Sequence, residues 1–257
     1  CRFVAEPAQN YPRLDYDYYE GSPLTPLALR SALGEATPPA RFEIWSNTRR
    51  YYAYAPLLRA ATPAGDEPLV LKDFIAVRRR YAPSAPHERY AEVKDPNSEY
   101  LSRLNVGVLV AQEIPGTGPP GWPLGPHVHG HSFYLNPRPV WPRFYLSSDG
   151  STPSTAATPV RVSRYEHEHV ELEASSPEAT MLVSSEAWYP GWKATIDGSE
   201  APILKVNEAF RGLKLPPGSH RITMTYAPDR LKTGAAASLA ALALLIWALT
   251  RRQRAHS

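Results

Sequence analysis

From Ser184 to Gly234 the chain alternates apolar and polar residues with a period of two, the signature of half-buried strands. Trp192, Ala194 and Ile196 fall on one side, Lys193, Thr195 and Asp197 on the other. Asp197-Gly198 then offers the two positive-φ positions that a tight hairpin turn wants. Arg211, Leu213 and Leu215 alternate again, and Pro216-Pro217-Gly218 marks a second turn. Ile222, Met224 and Tyr226 oppose Arg221, Thr223 and Thr225, and Pro228, which cannot donate to a ladder, stops the last strand. Upstream, Val170 and Leu172 point inward while His167, His169 and Glu171 point to solvent. These patterns predict an antiparallel β-sandwich over residues 157–230. Thr233 to Thr250 carries no charge, and about 18 residues at 1.5 Å each span about 27 Å, close to the hydrocarbon core of a bilayer. A transmembrane helix is expected at 233–250, followed by a tail at 251–257.

The first half reads differently. Leu24, Leu27, Ala28 and Leu33 predict a short helix with proline in its first turn, ended by Gly34 and kept from resuming by Pro38-Pro39. Phe42, Ile44 and Trp45 predict a strand from Arg41, and a helical stretch runs to Tyr81. Arg78-Arg79-Arg80 is expected to be a solvated helix end. Leu101 and Leu104 lead through a helical turn and Asn105 into the apolar strand Val106, Val108, Leu109, Val110. Residues 1–145 are therefore expected to form a mixed α/β module, and the whole chain to fall in the α+β class.

Composition narrows the function without naming it. A net charge of +3, dispersed over 257 residues, gives no footing for nucleic-acid binding. Cys1 has no partner for a disulfide within the chain. A first residue of Cys rather than Met fits either a lipidated cysteine or, the preferred expectation, a piece of a longer membrane protein. There is no Gly-x-Ser-x-Gly elbow, phosphate-cradling glycine loop or His-Glu-x-x-His, so no catalytic residue and no cofactor is assigned. His127, His129 and His131 would share one face of a strand, but no local carboxylate or thiol completes a zinc set. They are expected to be exposed hairpin histidines, with no metal.

The string from Leu182 to Pro228 resembles the C-terminal extracytoplasmic region of bacterial YfhO-family membrane proteins. Ser185, Glu186, Tyr189, Pro190, Gly191 and Trp192 follow that family's SE-x-YYPGW pattern, with Trp188 in place of the more usual Tyr. Asp197-Gly198, then Asn207, Phe210 and Arg211, then Gly218 and His220 follow in order. Residues 100–145 resemble the family's Leu-Asn-Val and Asn-Pro elements, and the first 100 residues do so only faintly.

The resemblance implies a multispanning protein similar to lipid-carrier-dependent glycosyltransferases, with an upstream transmembrane bundle that carries any catalysis. Its implied partners are the membrane, that bundle and an envelope glycan or lipid-linked sugar. The chain would then be an accessory extracytoplasmic region at the cell membrane. Arg251, Arg252 and Arg254 place its C-terminus in the cytoplasm by the positive-inside rule. Trp188 and Tyr189, with Asp197, Asn207 and Arg211 to fix hydroxyl groups, form the expected sugar surface. The competing expectation is that the Tyr-Pro-Gly-Trp corner locks the first strand into the sandwich. For the chain as a whole the alternatives to the transferase reading are a non-catalytic glycan-binding module and a structural cap on the transmembrane bundle.

Overall fold

The computed structural model describes residues 24–46, 60–63, 71–83, 92–112, 118–128, 130–154, 159–228, 234, 237–244 and 246–247. Strand is their most frequent element, and the chain divides into two compact units, Cys1–Arg143 and Phe144–Ser257.

In the first unit helix α1, Leu24–Leu33, ends as expected: Gly34 takes φ +79° and its N–H donates to Arg30 O at 3.1 Å. Ala28, Leu29 and Leu33 are buried, but Leu27 is 55% exposed. Leu27 and Leu29 are two helical steps apart, so they cannot share the buried stripe. The strands are β1 (Arg41–Ser46), β2 (Val106–Gln112), β3 (Leu124–Val128) and β4 (His131–Leu135), arranged β1-β2-β4-β3. β1 and β2 are parallel, and the other two pairings are antiparallel. The core under α1 is Phe42, Ile44, Val108, Val110 and Phe133. Leu109, also fully buried, alternates to the other face. Both faces of β2 are covered, hence its unbroken apolar run.

Helix α2 (Lys72–Arg78) and helix α3 (Glu99–Arg103) complete the described part. After α3, Asn105 adopts φ +61° and its side-chain amide donates to Trp141 O at 2.7 Å. The arginine run is not a uniformly solvated helix end. Arg79 and Arg80 are exposed, but Arg78 is 1% exposed. It lies in a unit whose core also encloses Arg41, the fully buried Glu43 and Tyr81. The Tyr81 hydroxyl donates to Glu43 Oε1 at 2.9 Å. Burial, and then the adjacent Glu43 carboxylate, hold the Tyr81 phenol well above its ordinary range.

Among the described residues, every strand pairing of the second unit is antiparallel. One sheet runs β10-β9-β13-β7-β6, from β6 (Arg161–Tyr165), β7 (His169–Ser176), β9 (Trp192–Ile196), β10 (Ser199–Ala201) and β13 (Gly218–Tyr226). The other runs β11-β12-β8-β5, from β5 (Phe144–Ser147), β8 (Thr180–Ala187), β11 (Leu204–Val206) and β12 (Phe210–Leu215). One apolar cluster joins them: Phe144, Leu146, Leu182, Leu213 and Leu215 from the second sheet meet Val170, Leu172, Ala194, Ile222 and Met224 from the first. This is sheet-on-sheet packing, and Val170, Leu172, Ala194, Leu213, Leu215, Ile222 and Met224 follow from the alternation in sequence. β5 lies upstream of residue 157 but pairs with β8. Asp197 at φ +52° and Gly198 at φ +83° make the expected hairpin turn.

After Pro228, Gly234, 237–244 and 246–247 are helical, and Leu239, Leu242, Leu244, Ile246 and Trp247 are exposed. Among the described residues no helix is long and apolar enough to cross a membrane. The remainder of the 233–250 span and the 251–257 tail lie outside the described residues.

Candidate functional site

The strand directions give the sandwich two distinct ends. β8 finishes, β9 and β12 begin, and β13 leaves toward the C-terminal helix at one end, the exit end. The turns at Asp197-Gly198 and Pro216-Pro217-Gly218 lie at the other.

At the exit end the four-stranded sheet sends two charged side chains inward. β12 and β8 lose register between Phe210 and Gly212, and Arg211 sits in that irregularity with its carbonyl accepting from Ser184 Oγ at 3.2 Å. Such a bulge re-aims a side chain. Arg211, 5% exposed, lays its guanidinium carbon 3.9 Å from the centre of the Trp192 ring and brings Nη2 within 3.8 Å of Glu186 Oε2. The Tyr165 hydroxyl donates to the other Glu186 oxygen at 2.8 Å, and the Tyr165 ring meets Phe144 edge-on at 6.2 Å. Trp192, Arg211, Glu186, Tyr165 and Phe144 thus form one cross-sheet stack that closes this end of the core. A guanidinium suits that place because it stacks on an aromatic face and is weakly hydrated.

Outside the stack lie the other aromatic residues. Tyr226 packs against Trp192 at 5.6 Å and Tyr189 at 6.2 Å between ring centres. Tyr189 is 44% exposed. Gly191 turns the corner at φ +106°, and a side chain there would meet Tyr226 and Pro228. Trp188 is half-buried, with Lys205 Nζ 5.6 Å from its ring centre. Asn207, at φ +46°, directs its amide to Tyr145 Oη and Ser151 O, both at 3.4 Å.

At the far end Asp197 accepts the Arg221 N–H at 2.8 Å and pairs through Oδ2 with His220 Nδ1 at 2.7 Å. His220 Nε2 lies 3.2 Å from Pro216 O. Both partners of the ring are acceptors, an arrangement that favours the doubly protonated imidazolium. Hydrogen bonding to the Asp197 carboxylate raises the His220 pKa, and His220 followed by the Arg221 N–H lowers that of Asp197. With both nitrogens engaged, His220 clasps the turn and has no nitrogen left to act as a base on a substrate. The pair borders a shallow open groove of about 500 Å³, with Arg161, Glu173, Ser175, Ser219 and Arg221.

The expected sugar surface is therefore divided. Asp197 closes the far end of β9, about 16 Å of strand from Trp192. Arg211 is interior, and the Asn207 amide is directed to Tyr145 and Ser151 on a distant segment. Only Trp188 and Tyr189 stay on one accessible corner. Glu186, the partner of Arg211 and Tyr165, carried a signal in the Ser-Glu pair that precedes the Tyr-Pro-Gly-Trp corner, but its role was not legible there.

The histidines of the first unit separate as well. His127 lies on β3 and is exposed, its Nδ1 3.0 Å from Ser132 Oγ, while His131 lies on β4 and is buried. They occupy neighbouring strands because the hairpin turns between them, with Gly130 at φ +74°. His129 lies outside the described residues, and among the described residues no cluster of His, Cys, Asp or Glu is placed to hold a metal.

Residues 151–238 match the family model of the bacterial membrane protein YfhO. The matched range covers β6 to β13 and leaves β5 and the first unit outside. No curated protein and no solved structure matches the chain.

Proposed function

Starting from a YfhO-family region at residues 151–238, we propose that this chain is the extracytoplasmic part of a membrane-embedded protein that transfers sugar from a lipid carrier to an envelope glycan or polymer. Its own role is accessory. The sandwich stands at the membrane surface, holds or positions the acceptor, and leaves the chemistry to a transmembrane bundle elsewhere in the protein.

The observation that carries this reading is that β13 ends at Tyr226, just before Pro228, and is followed, six residues after that proline, by a helix whose exposed side chains include Leu239, Leu242, Leu244, Ile246 and Trp247. A helix apolar on an open surface needs a nonaqueous partner. Arg251, Arg252 and Arg254 follow it, which supports a cytoplasmic C-terminus and an external sandwich. A cysteine at position 256, in a Cys1→Ser background, should resist an impermeant thiol reagent on intact cells and react after permeabilisation. Ready labelling of intact cells would overturn the orientation.

A second reading, a structural cap on the transmembrane bundle, is favoured by one specific observation. The matched charged residues are used internally: Glu186 and Arg211 in the interior stack, Asp197 and His220 in the turn clasp. The readings part on Trp188→Ala with Tyr189→Ala. Loss of glycan retention by a protein of unchanged melting temperature supports the positioning role, and unchanged retention supports the cap.

A further inference from the structure

We infer that the Trp188–Tyr189–Tyr226 corner of the sandwich is seated in the headgroup layer of the bilayer, so that the sandwich docks on the membrane by its exit end and presents its far end outward. This rests on the proposed membrane anchoring and adds the face by which the domain meets lipid.

Four observations converge on that face. The aromatic residues outside the stack gather at the exit end, and the turns of the far end are built from Asp, Gly, Ser and Pro. The corner is tied to the point where the chain leaves: Ala227 N–H donates to Gly191 O at 2.7 Å, and Tyr226 N–H donates to Glu168 O at 2.9 Å. The leash is short. Six residue steps join Pro228 to helical Gly234, so they extend at most about 20 Å. If the following helix lies in lipid, this end of the sandwich cannot leave the membrane surface by more than that. Finally, the exposed side chains there have the right chemistry. Tyr and Trp have an apolar body and a polar tip and concentrate at the bilayer–water boundary. Tyr189 is 44% exposed although its ring is apolar, and Lys205 over Trp188 supplies a cation at the level of lipid phosphates. Burial at the headgroup layer accounts for this exposure without invoking a sugar.

The test uses the whole chain reconstituted in phosphatidylcholine vesicles that contain nitroxide-labelled lipid, with single fluorescent labels in a Cys1→Ser background. Labels are introduced by Pro190→Cys at the corner, by Ser199→Cys at the far end and by Leu242→Cys in the helix. His167→Cys, in the exposed turn at the exit end, is a second reporter that spares the corner. The Leu242 label should be quenched by an acyl-chain nitroxide. The Pro190 and His167 labels should be quenched by a headgroup nitroxide, and the Ser199 label by neither. Quenching at Leu242 with Pro190 and His167 at the Ser199 level would overturn the docking and leave the anchoring intact. No quenching at Leu242 would overturn the anchoring and the docking with it. Replacing Trp188 and Tyr189 with Ser should bring the His167 signal down to the Ser199 level without moving the melting temperature. Undiminished quenching in that variant would overturn the aromatic basis of the docking.

Discussion

The two ends of the sandwich each hold a cation against a carboxylate, and burial gives the two pairs opposite weight. At the exit end Arg211 and Glu186 have side chains only 6% and 15% exposed, enclosed by Trp192 and Tyr165. At the far end the Asp197 side chain is 52% exposed although its distance to His220 is shorter, 2.7 Å against 3.8 Å. Proximity alone would rank the far pair first. Water reverses the order, because an exposed pair is screened whereas an enclosed one cannot lose a partner without stranding a charge.

The largest test removes the buried cation. Arg211→Ala should destabilise the protein by about 3–5 kcal/mol in urea unfolding, since the largely buried Glu186 carboxylate loses the cation beside it. Arg211→Lys should recover only part of this, because an ammonium keeps the charge but not the planar stack. A cost below that of an ordinary surface substitution would show that the stack is not what closes this end. Next comes Trp192→Ala, expected at about 3 kcal/mol, the low end for a large aromatic because the ring is half-buried. A fully stable Trp192→Ala protein would refute its place in the core. Tyr165→Phe keeps the ring against Phe144 and removes only the donor to Glu186, so about 1 kcal/mol is expected.

The smallest effect belongs to the far pair, and pH identifies it. Asp197 has a lowered pKa, so its contribution is present above its ordinary value of about 3.9 and fades as pH falls through the lowered one. His220 has a raised pKa, so its contribution is complete below about 6.5 and fades as pH rises through the raised value. The stability difference between the parent and Asp197→Asn should therefore be greatest between about pH 4 and 6.5 and shrink in alkali. A difference that grows from pH 6 to pH 9 would contradict the charged pair.

The same contrast explains what the sequence could disclose. Strands that bury one face against another sheet must alternate, so Val170, Leu172, Leu213, Ile222 and Met224 were visible as core before any fold was known. Arg211 lies on the core side of that alternation, in step with Leu213 and Leu215, yet its charge argued for the surface. The pattern was right and the chemical preference wrong. The irregularity in the β12–β8 ladder, where three residues of β8 stand opposite Arg211, and the acid it brings alongside make an interior place tolerable, and neither is written in a local motif. In the first unit, β1 finds its parallel partner β2 across some 60 residues of chain, a pairing with no turn signal to announce it. Burial of Glu43 and Arg78 is likewise hidden, because it depends on groups brought together from separate segments. The candidate sugar surface failed to assemble for a simpler reason: strand length put Asp197 at the opposite end from the aromatic corner.

The strand that leads toward the C-terminal helix is not at the margin of its sheet. β13 lies between β7 and β9, registered from Gly218 with Ser176 to Thr225 with His169 on one side, and from Ile222 with Ile196 to Tyr226 with Trp192 on the other. Antiparallel hydrogen bonds stand perpendicular to the strands. A pull on Pro228 along the strand therefore shears both ladders at once instead of peeling them open bond by bond. An edge strand such as β6 or β10 in the same position would be held by a single ladder. Under the proposed membrane anchoring, tension in the bilayer would thus be passed to the sandwich as displacement of a rigid body.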